Sequence, residues 1–196
     1  MHYRPGIDPH GLKYSPLKAL VFPRPIGWIS TLSKEGQANL APYSFFNLIS
    51  EQPPLLAFNS FGAKDSASNA EQTGEFVHNL CTYAQKEAMN ASAKAVASSC
   101  DEFELAGLEK IPSVMLKAPA VKQAPARLEC RVEKIIDLPC DADQRSMLVI
   151  GRIVCVHIDD AYIKQDLIDQ QALDLIARCG YHSYARTSDF FSLPRP

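Results

Sequence analysis

The sequence predicts a mainly β domain with about four short helices, its sheet antiparallel and closed or partly closed as a barrel. Three observations predict this. Prolines outnumber glycines, 14 to 9 in 196 residues, which points to many breaks between short elements. Apolar residues recur with the period of a strand over 26–33 and again over 126–133. Lys34-Glu35-Gly36 is a tight connection, so the strand after it returns antiparallel as a hairpin. A barrel also disposes of the sheet edges such strands would leave.

One domain is expected over 1–196, with residues 1–22 as an arm lying on it, because Gly6, Pro9, Gly11 and Pro16 interrupt that segment. Pro23-Arg24-Pro25 opens the strand at 26–33. Ile26, Trp28, Ser30 and Leu32 face one way; Gly27, Ile29, Thr31 and Ser33 face the other. A second strand covers about 37–48, with Pro42 marking a bulge or an edge. Gln52-Pro53-Pro54 is a turn, 55–60 a short apolar strand, and Phe61-Gly62-Ala63 a loop. A helix follows from about Asp65. Asp65, Ser66 or Ser68 can cap it, Ser68-x-x-Glu71 has capping-box form, and Gly74 stops it. Residues 75–82 alternate as a strand. Thr82-x-x-Gln85 can cap an Ala-rich helix to about Val96, and Ser99-x-x-Glu102 a shorter one ending at Gly107. Over 126–133, Ala126, Leu128, Cys130 and Val132 face inward, while Arg127, Glu129, Arg131 and Glu133 face water. Residues 147–158 are apolar on both faces, so the second face needs a cover such as another subunit. Asp169 caps a last helix that carries Leu173, Ile176 and Ala177 and stops at Gly180.

Composition bounds the function. Twenty Lys+Arg against 22 Asp+Glu leave a net charge of −2, which argues against a nucleic-acid partner. No apolar run approaches the ~20 residues of a membrane span, so no membrane partner is expected. The N-terminus has no signal-peptide core, so the expected location is cytoplasmic. The six cysteines form no C-x-x-C pair and read as free thiols; no metal site is expected. No nucleophile elbow, zinc-protease motif, P-loop or dinucleotide fingerprint occurs. His157 reads as a structural histidine. His182 lies in a loop two residues before Tyr184, and no role is assigned to either. Asp159-Asp160 reads as a solvated turn.

Two stretches could carry chemistry. From Ser60 to Ser66 a strand ends, a glycine loop follows, and Lys64-Asp65-Ser66 stands at a helix start. Free N–H groups and the helix dipole make such a start a cradle for phosphate, to which Lys64 adds a charge and Ser66 a hydroxyl. The same residues equally describe an ordinary capped surface helix. In Asn39-Leu40-Ala41-Pro42-Tyr43-Ser44-Phe45-Phe46-Asn47, backbone groups freed beside a proline could bind the edge of a flat heterocycle. Core aromatics beside a bulge are the alternative. Trp28 shares a face with Ser30 and reads as core or as a cofactor stacker.

These residues are where the chain resembles the flavin reductase-like, FMN-binding split-barrel family, close to its flavoredoxin-like branch. The matching segments are 23–31, 39–47, Lys64-Asp65-Ser66, 73–77, 102–108, Ile150-Gly151, 157–160, Ala177-Arg178, Gly180-Tyr181, Tyr184 and 191–193, in order along the chain. The resemblance implies a homodimer of Greek-key-like antiparallel split barrels, with one FMN per subunit near the interface. It implies that Lys64 and Ser66 hold the phosphate, with Asp65 between them in the cofactor site, and that Ser60 approaches the phosphate end. It implies that Trp28, Ser30 and Thr31 lie beside the flavin, and that Ser44, Phe45, Phe46 and Asn47 meet the isoalloxazine edge. Ala63 stands where the family often has a basic residue, so part of the phosphate charge is met elsewhere. Arg24 or backbone N–H groups would stabilise the ring near N1. The implied activity passes hydride from NAD(P)H through FMN to an acceptor, with a monooxygenase or electron-transfer protein as a partner. The chemistry is carried by FMN, and no protein acid or base is required. An electron-transfer flavoprotein reduced by a protein donor, or a non-catalytic FMN-binding module, are the alternatives.

Overall fold

Alternation places large side chains on both sides of one strand, and two apolar cores result. The computed structural model describes residues 1–62 and 64–194; Ala63 lies outside the described residues. Strand β1 (Gly27–Leu32) sends Trp28 into a core with Leu40, Met89 and Phe103. Ile29 enters a second core with Phe58, Phe76 and Val149. The other long strands are β2 (Ala38–Tyr43), β3 (Phe46–Glu51), β4 (Pro54–Phe61), β5 (Glu75–Asn79), β6 (Ala126–Leu138) and β7 (Ser146–Ile158). They form one antiparallel sheet of seven strands in the order β2-β1-β5-β6-β7-β4-β3. Its two edge strands, β2 and β3, are neighbours in sequence, and β2 also contacts β4. The sheet therefore curls into a barrel split between its edges.

Two glycines permit this curvature. A Cβ on Gly27 would lie 2.4 Å from Phe46, and one on Gly151 2.4 Å from the buried ring of Phe76. Helix α1 (Asp65–Thr73) packs on β1, β2 and β5 and ends at Gly74, whose φ of 76° makes the left-handed stop. Short helices α2 (Lys86–Ala91) and α3 (Glu102–Leu105) flank β2. Near the C-terminus β8 (Ile176–Arg178) pairs with Arg24–Pro25 on one side and with β9 (Tyr184–Arg186) on the other.

Several expectations are corrected. The strand expected over 37–48 breaks at Ser44-Phe45, and its second part crosses to the far edge of the sheet. Pro42 stays in the ladder opposite Trp28, tolerated because β2 is an edge strand. No side chain caps α1; its N-cap is Lys64. The Thr82/Gln85 capping box forms, but it opens a short 3-10 turn and the helix ends at Ala91. Ser92 is held there by accepting from Trp28 Nε1 at 3.0 Å and donating to the Met89 carbonyl at 2.8 Å. Asp101, not Ser99, caps α3. Asp169 does cap a helix, but one of four residues, Gln170–Leu173; Ile176 and Ala177 are strand. Glu129 does not face water. It is 1% exposed, because the segment 112–118 closes over its face of the sheet.

All six cysteines are free, and no helix among the described residues is long and apolar enough to cross a membrane. The second face of β7 is partly bare, with Val156 53% and Ile158 39% exposed.

Candidate functional site

The start of α1 faces a cleft of about 590 Å³, lined by Asn39, Tyr43, Lys64, Asp65, Ser66 and Glu102 together with residues 92–96. With no side-chain cap, the first N–H groups of the helix are left to a ligand. Lys64 is exposed at the rim, and Asp65 is half-buried beside it. Ser66 is buried and oriented from behind. Asn39 Nδ2 donates to Ser66 Oγ at 2.8 Å and to Thr31 Oγ1 at 3.2 Å, and Asn69 Nδ2 donates to Thr31 Oγ1 at 3.1 Å. Thr31 is thus the floor of the site.

Two hydroxyls at this end are buried and unpartnered. Tyr43 Oη leans toward Ser60 and Ser66 at longer range, and neither Tyr43 Oη nor Ser60 Oγ has a partner at full hydrogen-bond distance. Orphaned buried hydroxyls cost stability unless something pairs with them. Burial holds the Tyr43 phenol above its ordinary pKa, so it remains a donor. Burial also raises the Glu102 carboxyl, which accepts from the Leu40 N–H at 3.1 Å.

A second cleft of about 650 Å³ adjoins the first, sharing Pro42, Tyr43 and Ala93, and adds Lys18, Arg24, Ser44, Arg178, His182 and Tyr184. Arg24 is buried. Its NH1 donates to the carbonyls of Lys18 (2.7 Å) and Val21, and its NH2 to that of Cys179 (2.9 Å), which leaves only Nε without a partner. It pins the arm to β8. The Arg178 guanidinium stacks 4.5 Å over the Tyr184 ring.

The fold thus gathers Thr31, Ser60, Lys64, Asp65 and Ser66 at one end and brings Ser44 to the adjoining cleft. It does not bring the remaining residues there. Trp28 and Ser30 are fully buried on the other face of β1. Ser30 Oγ donates to the Pro119 carbonyl at 2.6 Å and accepts from Asn79 at 3.0 Å. Thr31 and Ser60 are just as fully buried, but they lie behind Ser66 and Tyr43 at the cleft, whereas Trp28 and Ser30 face away from it. Phe46 packs on Gly27 and on His78, ring centroids 4.5 Å apart, while Phe45 and Asn47 are exposed. The Phe45 carbonyl is engaged within the barrel, accepting from the Asn59 N–H at 2.8 Å. Residues not singled out from the sequence are Asn69, Tyr43 and Glu102. Tyr43 had a signal in its place after a proline in the 39–47 stretch and Glu102 one in the matching segment 102–108; Asn69 had none.

The model of the family described as the flavin reductase like domain matches residues 19–172, and the chain belongs to that family. Nitrilotriacetate monooxygenase component B from Bacillus cereus has a similar structure, with a TM-score of 0.91 and 31% identity over 98% of each chain. The 2-nitrobenzoate 2-nitroreductase NbaA of Pseudomonas fluorescens gives a TM-score of 0.87 at 29% identity, covering 100% of this chain and 96% of that one. A flavin reductase-like protein with a split barrel domain from Shewanella frigidimarina gives 0.80 at 26% identity, covering 88% and 86%. The antiparallel barrel described above is accordingly a flavin reductase-like split barrel.

Proposed function

We propose that this chain is an FMN-dependent oxidoreductase that takes hydride from NAD(P)H and passes electrons to an acceptor, which includes a partner oxygenase or electron-transfer protein. One observation carries the reading. An uncapped helix start opens on a cleft lined by Lys64, Ser66 and Tyr43, with Ser60 buried behind Tyr43. A phosphate monoester suits the free N–H groups of the helix start and the Lys64 ammonium. When bound, FMN supplies a flavin ring that accepts hydride and releases electrons singly or in pairs. The chain's own part is to bind and orient. Lys64 and the α1 N–H groups hold the phosphate, Ser66 is aimed by Asn39, and the adjoining cleft at Ser44 receives the ring. Arg178 and Tyr184 border that cleft and offer a cation and an aromatic face to a nicotinamide donor.

The test is a titration of the purified protein with FMN, followed by NADH and NADPH oxidation with and without added flavin. Saturable FMN binding with nicotinamide oxidation supports the reading. Tight FMN binding with no nicotinamide oxidation would replace it with an electron carrier reduced by a protein. A protein that neither binds FMN nor oxidises NAD(P)H would overturn it. Lys64→Ala is expected to weaken FMN binding by about 1.5–3 kcal/mol, the range for a lost charged hydrogen bond. The side chain is exposed, so stability should not move; unchanged affinity would return Lys64 to solvent.

The proposal includes a homodimer. Val156 and Ile158 on β7, and Phe45, Leu48 and Ile49 at the β3 edge, leave apolar surface bare in one chain. Light scattering should give twice the 21.6 kDa chain mass, and a monomeric mass would refute this part.

A further inference from the structure

We propose that Glu129, Cys155 and His157 form a binding site for a zinc-class divalent cation, separate from the cleft at α1. The site is built by a bulge. Between Ile153 and Cys155 the register of β7 against β6 shifts, after which Cys155 stands opposite Glu129 and His157 opposite Arg127. Cys155 and His157, two residues apart, then share the face on which Glu129 lies. One carboxylate oxygen, one sulfur and one imidazole nitrogen come within 4.8 Å of one another, with Sγ to Nε2 at 3.5 Å and Oε1 to Nε2 at 2.6 Å.

That set and spacing suit the ion. Zinc takes thiolate, imidazole and carboxylate at about 2.0–2.3 Å, so tetrahedral ligand atoms sit roughly 3.3–3.8 Å apart. The sulfur–nitrogen edge already has this length. The oxygen–nitrogen edge is a hydrogen bond, and it must open by about 1 Å to admit an ion of that bond length. His157, with 24% of its side chain exposed, is the ligand able to move. Glu129 is the fixed one, because it accepts from the Val114 N–H at 2.8 Å and the Met115 N–H at 2.7 Å. Such outer hydrogen bonds orient metal ligands. A cavity of about 120 Å³ lined by Glu129, His157, Ser113 and Arg127 adjoins the trio. It has room for a fourth ligand, since a water needs about 30 Å³. Glu129 and a Cys155 thiolate together balance the two charges of the ion and must also outweigh its repulsion by Arg127 at the cavity wall.

The test uses the whole chain with the metal alone. Zn²⁺ is titrated calorimetrically, and Co²⁺ is followed by absorbance, because a thiolate ligand gives cobalt a sulfur charge-transfer band. One ion per chain and that band are expected. Cys155→Ser and His157→Gln should each weaken binding by more than the about 10–100-fold that loss of an outer-shell partner costs. Alkylation mapped by mass spectrometry needs no variant, and Zn²⁺ should slow labelling of Cys155 selectively among the six cysteines. Absence of stoichiometric binding, or labelling of Cys155 that ignores Zn²⁺, would leave the trio as a His–Glu hydrogen bond beside a thiol.

Discussion

Lowering the pH from 7 to 5 is expected to cost the fold about 2 kcal/mol through His78 alone. His78 lies on β5, between β1 and β6, buried at 6% exposure and packed on Phe46. Its Nδ1 has no partner. Burial depresses its pKa to about 3 from the ordinary 6.5, because the imidazolium would lose most of its hydration. The sign follows from which state takes up the proton. Below pH 6.5 the unfolded chain binds a proton at this residue and the folded chain does not. Stability is therefore full above about 6.5 and falls by roughly 1.4 kcal/mol per pH unit until the folded value is reached. Carboxylates held low, such as Glu129 and Glu71, add their losses in the more acidic range. His78→Leu keeps the position apolar and removes the titration. Urea unfolding of both proteins at pH 7 and pH 5 isolates the term, with the variant gaining about 2 kcal/mol on the wild type at the lower pH. Parallel curves would show that His78 finds a proton-accepting partner or water in the folded state.

How much of this was legible beforehand depended on distance along the chain. Alternation over 26–33 correctly assigned Trp28 and Ile29 to opposite cores, because period two is a property of the strand itself. The helix start at Lys64-Asp65-Ser66 was legible for the same reason. What makes it a site was not. Asn39 and Asn69 come from other elements to orient Ser66 and Thr31, and Tyr43 and Ser60 meet only when β2 and β4 curl together. Glu129 misled because its alternation is that of a half-exposed strand, and only the folding of 112–118 over it removes water. Ile176 and Ala177 carry apolar residues that suit a helix, yet pairing with Arg24–Pro25 draws them into a strand. Local propensity yielded there to a partner about 150 residues away in the chain.

Phe58→Ala is expected to destabilise the fold by about 3–5 kcal/mol, a large share of the 5–15 kcal/mol typical of a domain. The ring has no exposed surface and packs edge-on to Phe76 at 5.2 Å between centroids. On its other side it lies 4.9 Å from Tyr43. Truncation leaves a cavity at the junction of β4, β5 and β2, where α1 also rests on the barrel. The effect reaches the candidate site along two routes. Tyr43 loses the ring that fixes its own, and its hydroxyl is one of the two unpartnered groups beside Ser66. Ser60 follows Phe58 by two residues on the same face of β4, so relaxation into the cavity moves both hydroxyls. Phe58→Leu retains most of the volume and should cost less than half as much. Urea unfolding measures the stability, and an FMN titration under conditions where each variant is folded measures the site. In the proposed function, affinity falls with Phe58→Ala and is largely kept with Phe58→Leu. A loss under about 1 kcal/mol for the alanine variant would mean that this core does not carry the load its burial implies. Equal FMN affinity in both variants would mean that Tyr43 and Ser60 do not meet the phosphate.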